Sequence, residues 1–169
     1  MEIQFKELSE GSHHFDFQES QESLSLRPQE LFLMRPVEVS LWVVKSKEKL
    51  TFQGRISALA QSECARCLSL VTVPLEAELK FILDQSEVVP GGKFEDDDYQ
   101  FISKSVGSYS LNQRLREALL LSMPMRFLCS ADCKGLCPRC GINLNLEKCS
   151  CKKEAVDPRW GKLQNLLKE

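Results

Sequence analysis

Several things are scarce in this 169-residue sequence. Glycine (8) and proline (7) are few, which excludes collagen-like and low-complexity chains. No run of about 18 apolar residues exists, so nothing reads as a membrane-spanning helix. Charge of one sign is lacking too: the formal net charge is −2, and no whole-molecule basic field draws the chain to nucleic acid or anionic membrane. Only two histidines are present, His13 and His14. The start, Met1 to Glu7, lacks the basic start and apolar run of a secretory signal, so the expectation is a cytoplasmic protein. With 43% hydrophobic and 27% charged residues, the chain is long and apolar enough to bury a core.

What is abundant is cysteine. Eight thiols fall below the fraction of a disulfide scaffold, and in a reducing compartment they point to metal ligation.

The expected fold class is α+β: an antiparallel β meander curling into an open barrel, with two short helices and a Cys-rich zinc-binding C-terminal segment. Val37, Val39, Leu41 and Val43 alternate with Glu38, Ser40 and Trp42, as a half-buried strand requires. A polar turn over 45–49 follows. The alternation resumes from Leu50 to Ala60 and again from Val71 to Leu83, with Glu76, Glu78 and Lys80 on a wet face. Ile3 and Phe5, Phe15 and Phe17, and Leu24 and Leu26 read as short strands that extend the sheet. Residues 84–98, with Pro90-Gly91-Gly92 and Glu95 to Asp98, read as an acidic loop. Spacing then turns helical from Ser110 to Ser122, with Ser110 and Gln113 as a capping box, Leu111, Leu115, Ala118 and Leu119 as the stripe, and Pro124 as the stop. A last helix is expected from Asp157-Pro158, docking through Trp160, Leu163, Leu166 and Leu167. The division is therefore a β-rich core over 1–125 and a Cys-rich segment with the terminal helix over 126–169.

Cysteine spacing carries the chemistry. Cys64 and Cys67 form one Cys-x-x-Cys turn between two strands, and Cys129, Cys133, Cys137, Cys140, Cys149 and Cys151 crowd into 23 residues. Structural zinc takes four tetrahedral ligands, and such a turn places two sulfurs on one ion. Eight divides into two fours. Chain length favours Cys137, Cys140, Cys149 and Cys151 as a local group, leaving Cys64, Cys67, Cys129 and Cys133 to join the meander to the tail; interleaved partitions stay open. Iron–sulfur clusters also use four cysteines, but the ferredoxin spacings are absent.

Catalytic patterns fail. The Cys-x-x-Cys turn does not sit at a helix start in an alternating strand–helix pattern, as thiol redox enzymes require. No His-x-Glu partner exists for a zinc deaminase, and no nucleophile elbow or phosphate loop appears. His13 and His14 read as a polar strand edge. The chain is therefore expected to be no enzyme and to have no small-molecule substrate. Around the tail cysteines, Arg126, Lys134, Arg139, Lys148, Lys152 and Lys153 outnumber Asp132 and Glu147, partly as compensation for thiolate charge. Phe127 and Trp160 lie in apolar contexts and read as buried rather than as base-stacking platforms.

The run Leu128 to Asn145, with Cys129, Cys133-Lys134-Gly135-Leu136-Cys137-Pro138-Arg139-Cys140-Gly141, then Cys149-Ser150-Cys151 and Asp157-Pro158-Arg159-Trp160, resembles the YceD family of bacterial and plastid proteins. Cys64-Ala65-Arg66-Cys67-Leu68 and Leu121-Ser122-Met123-Pro124 match that family in the expected order. The resemblance implies a role in accumulation of large-subunit (23S) ribosomal RNA, hence in ribosome biogenesis. Its expected partner is 23S rRNA, a pre-50S particle or a ribosomal protein. Arg66, Lys134, Arg139, Lys152, Lys153 and Arg159 are the expected contacts to phosphate or partner, and two structural zinc ions the expected cofactors.

Overall fold

Alternation of apolar and polar side chains decides the architecture. The computed structural model describes residues 1–86 and 98–151. Its centre is three long antiparallel strands, β4 (Val37–Ser46), β5 (Lys49–Glu63) and β6 (Leu70–Asp84). They were introduced in chain order by β1 (Glu2–Gln4), β2 (Gly11–Glu19) and β3 (Phe32–Leu33), and are followed by β7 (Tyr99–Phe101), β8 (Ser108–Ser110) and the helix α1 (Asn112–Ser122). The sheet order is β2-β4-β5-β6-β7, with β3 joining β5 where β5 runs past β4. The register sets Leu41 against Gly54 and Gly54 against Leu79, so one face carries an unbroken apolar row. Val37, Leu41, Val43, Leu50, Phe52, Ile56, Phe81 and Leu83 are buried on that face. Phe52 and Phe81 stack with ring centroids 4.4 Å apart. At Gly54 a Cβ would come within 3.1 Å of Leu41 Cδ1, so the glycine lets neighbouring side chains close over the strand.

α1 lies on β6 and β5 and buries Leu111, Leu115 and Leu119. Arg116 clamps the first loop onto the helix with two bonds to Glu30, of 3.0 and 2.9 Å. Met123 is extended before Pro124, which ends the helix as a residue preceding proline should. The opposite face of the sheet, with Glu38, Trp42, Gln53, Glu76, Glu78 and Lys80, is exposed.

The meander and the helix stripe match expectation; several finer features do not. Among the described residues the sheet is open, with β2 and β7 as its edges, and no closed barrel forms, so the curl towards an open barrel is not confirmed. β7 runs parallel to β6, and β1 leaves the sheet to pair with β8 in a separate two-stranded ribbon. Leu24 and Leu26 lie in consecutive turns rather than a strand: Leu24 N–H bonds Ser20 O, Leu26 N–H bonds Gln21 O, and Ser25 takes φ 52°. That positive φ aims both leucines into the core, so apolar alternation arises without a strand. The capping box is absent, because Ser110 is held in the β1–β8 ribbon and Gln113 bonds Glu117 instead. Asp84 belongs to β6 rather than to a loop. It is 2% exposed, held by the Tyr99 hydroxyl, the Ser86 amide and Lys49. One α-helix occurs among the described residues; the expected helix from Asp157, with Trp160, lies outside them, as does most of the acidic loop.

Candidate metal centre

The β5–β6 turn builds half of the first site. Cys64 N–H donates to Ser69 O (2.8 Å) and Leu68 N–H to Cys64 O (2.9 Å), and Leu68 adopts φ 59° to close the turn. Cys64 and Cys67 thereby point to the same side. The segment after α1 brings the other half, docked by the Ala65 N–H to Phe127 O bond of 2.8 Å. Cys64 Sγ lies 3.8 Å from Cys133 Sγ, and Cys67 Sγ lies 3.6 Å from Cys129 Sγ. All four sulfurs fall within 4.8 Å of one another.

The second site is local. Leu136 and Asn143 form an antiparallel bridge, Cys137 N–H bonds Ile142 O (2.9 Å) and Gly141 N–H bonds Cys137 O (2.9 Å) at φ 72° for Gly141. This knuckle presents Cys137 and Cys140; the chain then returns with Cys149 and Cys151. Cys149 Sγ lies 3.3 Å from Cys137 Sγ and 3.6 Å from Cys140 Sγ, again with all four within 4.8 Å. Thiolate–zinc bonds of about 2.3 Å set tetrahedral sulfur–sulfur edges at about 3.8 Å, which both tetrads approach. The structure thus brings the eight cysteines together as Cys64, Cys67, Cys129, Cys133 and as Cys137, Cys140, Cys149, Cys151, either of which can hold a metal ion.

Their electrostatics point the same way. The Arg66 amide, with those of Cys67 and Cys129, lowers the Cys64 thiol to about 6 against the cost of its burial. The Ser69 hydroxyl and amide lower Cys67. Amides of Cys140 and Arg139 lower Cys137 to about 6. Their neighbours behave oppositely: Cys133 and Cys67 push Cys129 up to about 12, and Cys149 and Cys140 push Cys151 up to about 12. Backbone amides therefore prepare some thiolates in each tetrad, and further ionisation is opposed by sulfurs already there. A divalent cation removes that opposition.

Residues without metal-binding chemistry lock the two sites together. Arg66 donates from Nη1 to Cys133 O (2.8 Å) and Ala131 O (3.4 Å), and its own carbonyl accepts from Leu136 N–H (3.1 Å). Gly135 sits at φ 74°, where a Cβ would come within 3.1 Å of Arg66 O. Asn145 reaches Cys133 Sγ from Nδ2 (3.3 Å) and accepts from Lys134 N–H through Oδ1 (2.8 Å). Asn143 Oδ1 accepts from Asn145 N–H (3.0 Å), and Asn143 Nδ2 reaches Ser69 Oγ (3.4 Å). Sequence reasoning gave Ser69, Asn143 and Asn145 no role; an Asn-x-Asn following a Cys-x-x-Cys-Gly knuckle was the available signal, since short amides turn back on their own backbone.

Of the expected contact residues, Arg66, Lys134 and Arg139 are exposed beside the tetrads, and Arg66 is also engaged as above. Lys152, Lys153 and Arg159 lie outside the described residues. Phe127 is half-buried.

Residues 52–167 match the profile of the family described as large ribosomal RNA subunit accumulation protein YceD. An uncharacterized Mycobacterium tuberculosis protein is 30% identical over 132 residues, covering 78% of this chain and 62% of its own length. The Arabidopsis thaliana large ribosomal RNA subunit accumulation protein YCED homolog 1, chloroplastic, is 27% identical over 158 residues, 79% of this chain and 49% of its own. The uncharacterized protein YlbN of Bacillus subtilis is 26% identical over 169 residues, spanning 98% of this chain and 94% of its own. The chain thus covers about three fifths of the mycobacterial protein and half of the plant one, and no solved structure matches it. With more than half of its length matched, and with both cysteine tetrads inside the matched span, the chain belongs to the YceD family.

Proposed function

We propose that this protein is a non-enzymatic ribosome biogenesis factor that supports accumulation of large-subunit (23S) ribosomal RNA in the cytoplasm, by binding rRNA or a precursor particle. The observation that carries the reading is the family match, which spans the β5–β6 turn and the whole cysteine array. Zinc is the metal assigned to both tetrads: four thiolates in near-tetrahedral spacing, with no fourth position open to a substrate, suit a structural rather than a catalytic ion. The ions secure the fold, and the protein's own residues make the contacts. Arg126, Lys134, Arg139 and Lys148 are exposed on the metal-bearing segment, where they offer phosphate contacts that position an RNA without reading its sequence.

Purification of the tagged full chain from lysate tests this. The expected result is co-purification of large-subunit rRNA that falls steeply with salt and survives only without nuclease, as counterion release requires. A second reading, a protein-binding adaptor acting on rRNA indirectly, draws support from the net charge of −2. It predicts a partner retained after nuclease and indifferent to salt.

A further inference from the structure

The edge strand β2 contributes no residue to either cysteine tetrad. Over its nine residues, Gly11 to Glu19, it pairs with β4 on one side only, from Gly11 against Lys45 to Glu19 against Val37. Among the described residues, no backbone hydrogen bond leaves its other side. Such an edge presents a row of open donors and acceptors. It carries neither proline nor lysine, and its two carboxylates are already engaged, Asp16 with Ser40 and His14 and Glu19 with the Met1 amine. Phe15 and Phe17 lie on its core-facing side, only half covered at the margin of the core.

We propose that β2 pairs antiparallel with β2 of a second copy of this chain, across a two-fold axis at Phe15, making one continuous sheet of two protomers. The sequence of the strand is complementary to itself in that register. Phe15 faces Phe15 of the second copy, completing the apolar margin, and His13 faces Phe17. On the exposed side, His14 faces Asp16 in both directions. A two-fold axis perpendicular to the sheet keeps core-facing residues opposite core-facing residues, so only registers displaced by whole residue pairs compete. An axis at Asp16 sets two carboxylates face to face, which repel, and an axis at His14 leaves each imidazole opposite another; the axis at Phe15 gives every Asp16 carboxylate an imidazole N–H to accept from. Within one chain, His14 Nε2 already lies 2.9 Å from Ser40 Oγ and 3.4 Å from Asp16 Oδ1, and Trp42 stacks on its ring at 4.6 Å. That support holds the imidazole beside the edge. Nine residues of strand form a small interface, so the dimer is weak and concentration-dependent.

Sedimentation of the full chain over a wide concentration range tests the proposal, with circular dichroism as a check on folding. The expected result is a monomer that becomes a dimer on concentration, a His14→Asp variant that dimerises about tenfold more weakly, and a His14→Asp/Asp16→His double variant that recovers, because the swap restores opposite partners in this register and no other. A chain that stays monomeric throughout overturns the proposal. So does a dimer indifferent to His14→Asp, or a charge-swapped chain that fails to recover.

Discussion

The β body and the cysteine segment are held together by different means. In the body, Val37, Leu41, Val43, Leu50, Phe52, Ile56 and Leu83 are fully buried, α1 seals one face, and long ladders satisfy the backbone. In the segment after α1, an isolated bridge replaces ladders, and the buried cluster at its junction with the β5–β6 turn is Cys64, Cys67 and Cys133 backed by Val71, Leu128 and Leu136. The first region has a large apolar core to bury, and the second buries few carbon side chains beside its cysteines. Where a chain buries little carbon, metal coordination can take over the ordering, and both tetrads are built to allow it. The two regions should therefore fail independently, and perturbations sort by which one they touch.

The largest separation comes from the ligands. Structural zinc is worth about 10 to 16 kcal/mol in small peptides. Cys64→Ser should abolish the first tetrad and release the segment after α1 from the β5–β6 turn, read as one fewer zinc per chain and narrowed, coil-like NMR signals for 126–136. The sheet signals should persist. Phe52→Ala breaks the comparison from the other side. It should cost the body about 3 to 5 kcal/mol in chemical denaturation while the folded fraction keeps its metal stoichiometry.

Gly135→Ala is next in size. A side chain at φ 74°, pressed within 3.1 Å of Arg66 O, should cost about 1 to 3 kcal/mol, confined to the metal-bearing segment and visible as faster amide exchange there. Asn145→Ala should be milder, lowering zinc affinity by about tenfold in chelator competition as the bond to Cys133 Sγ is lost.

A further effect belongs to the body alone and depends on pH. Burial raises the Asp84 pKa, but Tyr99, Ser86 and Lys49 outweigh it and hold the carboxyl at about 2. Its unfolded value is about 3.9, so the charged form is favoured by folding: the contribution is fully present above about pH 4 and is lost as pH falls toward 2. Asp84→Asn should flatten that part of the acid limb in thermal melts and leave the rest of the profile in place.

How much was legible follows the same division. Strict alternation through Val37–Val43, Leu50–Ala60 and Val71–Leu83 forces one face inward, so the meander could be read directly, as could the Leu111, Leu115 and Leu119 stripe. Pairing between distant pieces could not. Whether β1 joins the sheet or meets β8, and whether β7 runs parallel to β6, depends on contacts between pieces far apart in the chain, across more than a hundred residues in the first case. Leu24 and Leu26 alternate like a strand, yet a positive φ at Ser25 produces the same burial from a turn. In the cysteine segment, ligand spacing favoured the partition the structure shows, because a Cys-x-x-Cys turn already joins two sulfurs and the short return supplies two more, but it left interleaved pairings open. The Ser69, Asn143 and Asn145 contacts went unread although the Asn-x-Asn spacing hinted at them, and Arg66 was read as a partner contact rather than as a brace on Cys133 O: each depends on where a turn aims a side chain once the cysteines are gathered.

Hydrogen exchange on the full chain, measured with bound metal quantified by mass spectrometry before and after a strong chelator, is the most direct test of ordering by coordination. The expected result is two zinc ions per chain, and on their removal a loss of protection in 126–151 and at the 64–69 turn while β4, β5 and β6 stay protected. A chain that purifies with iron or with no metal, or one whose segment after α1 keeps its protection once stripped, would contradict it.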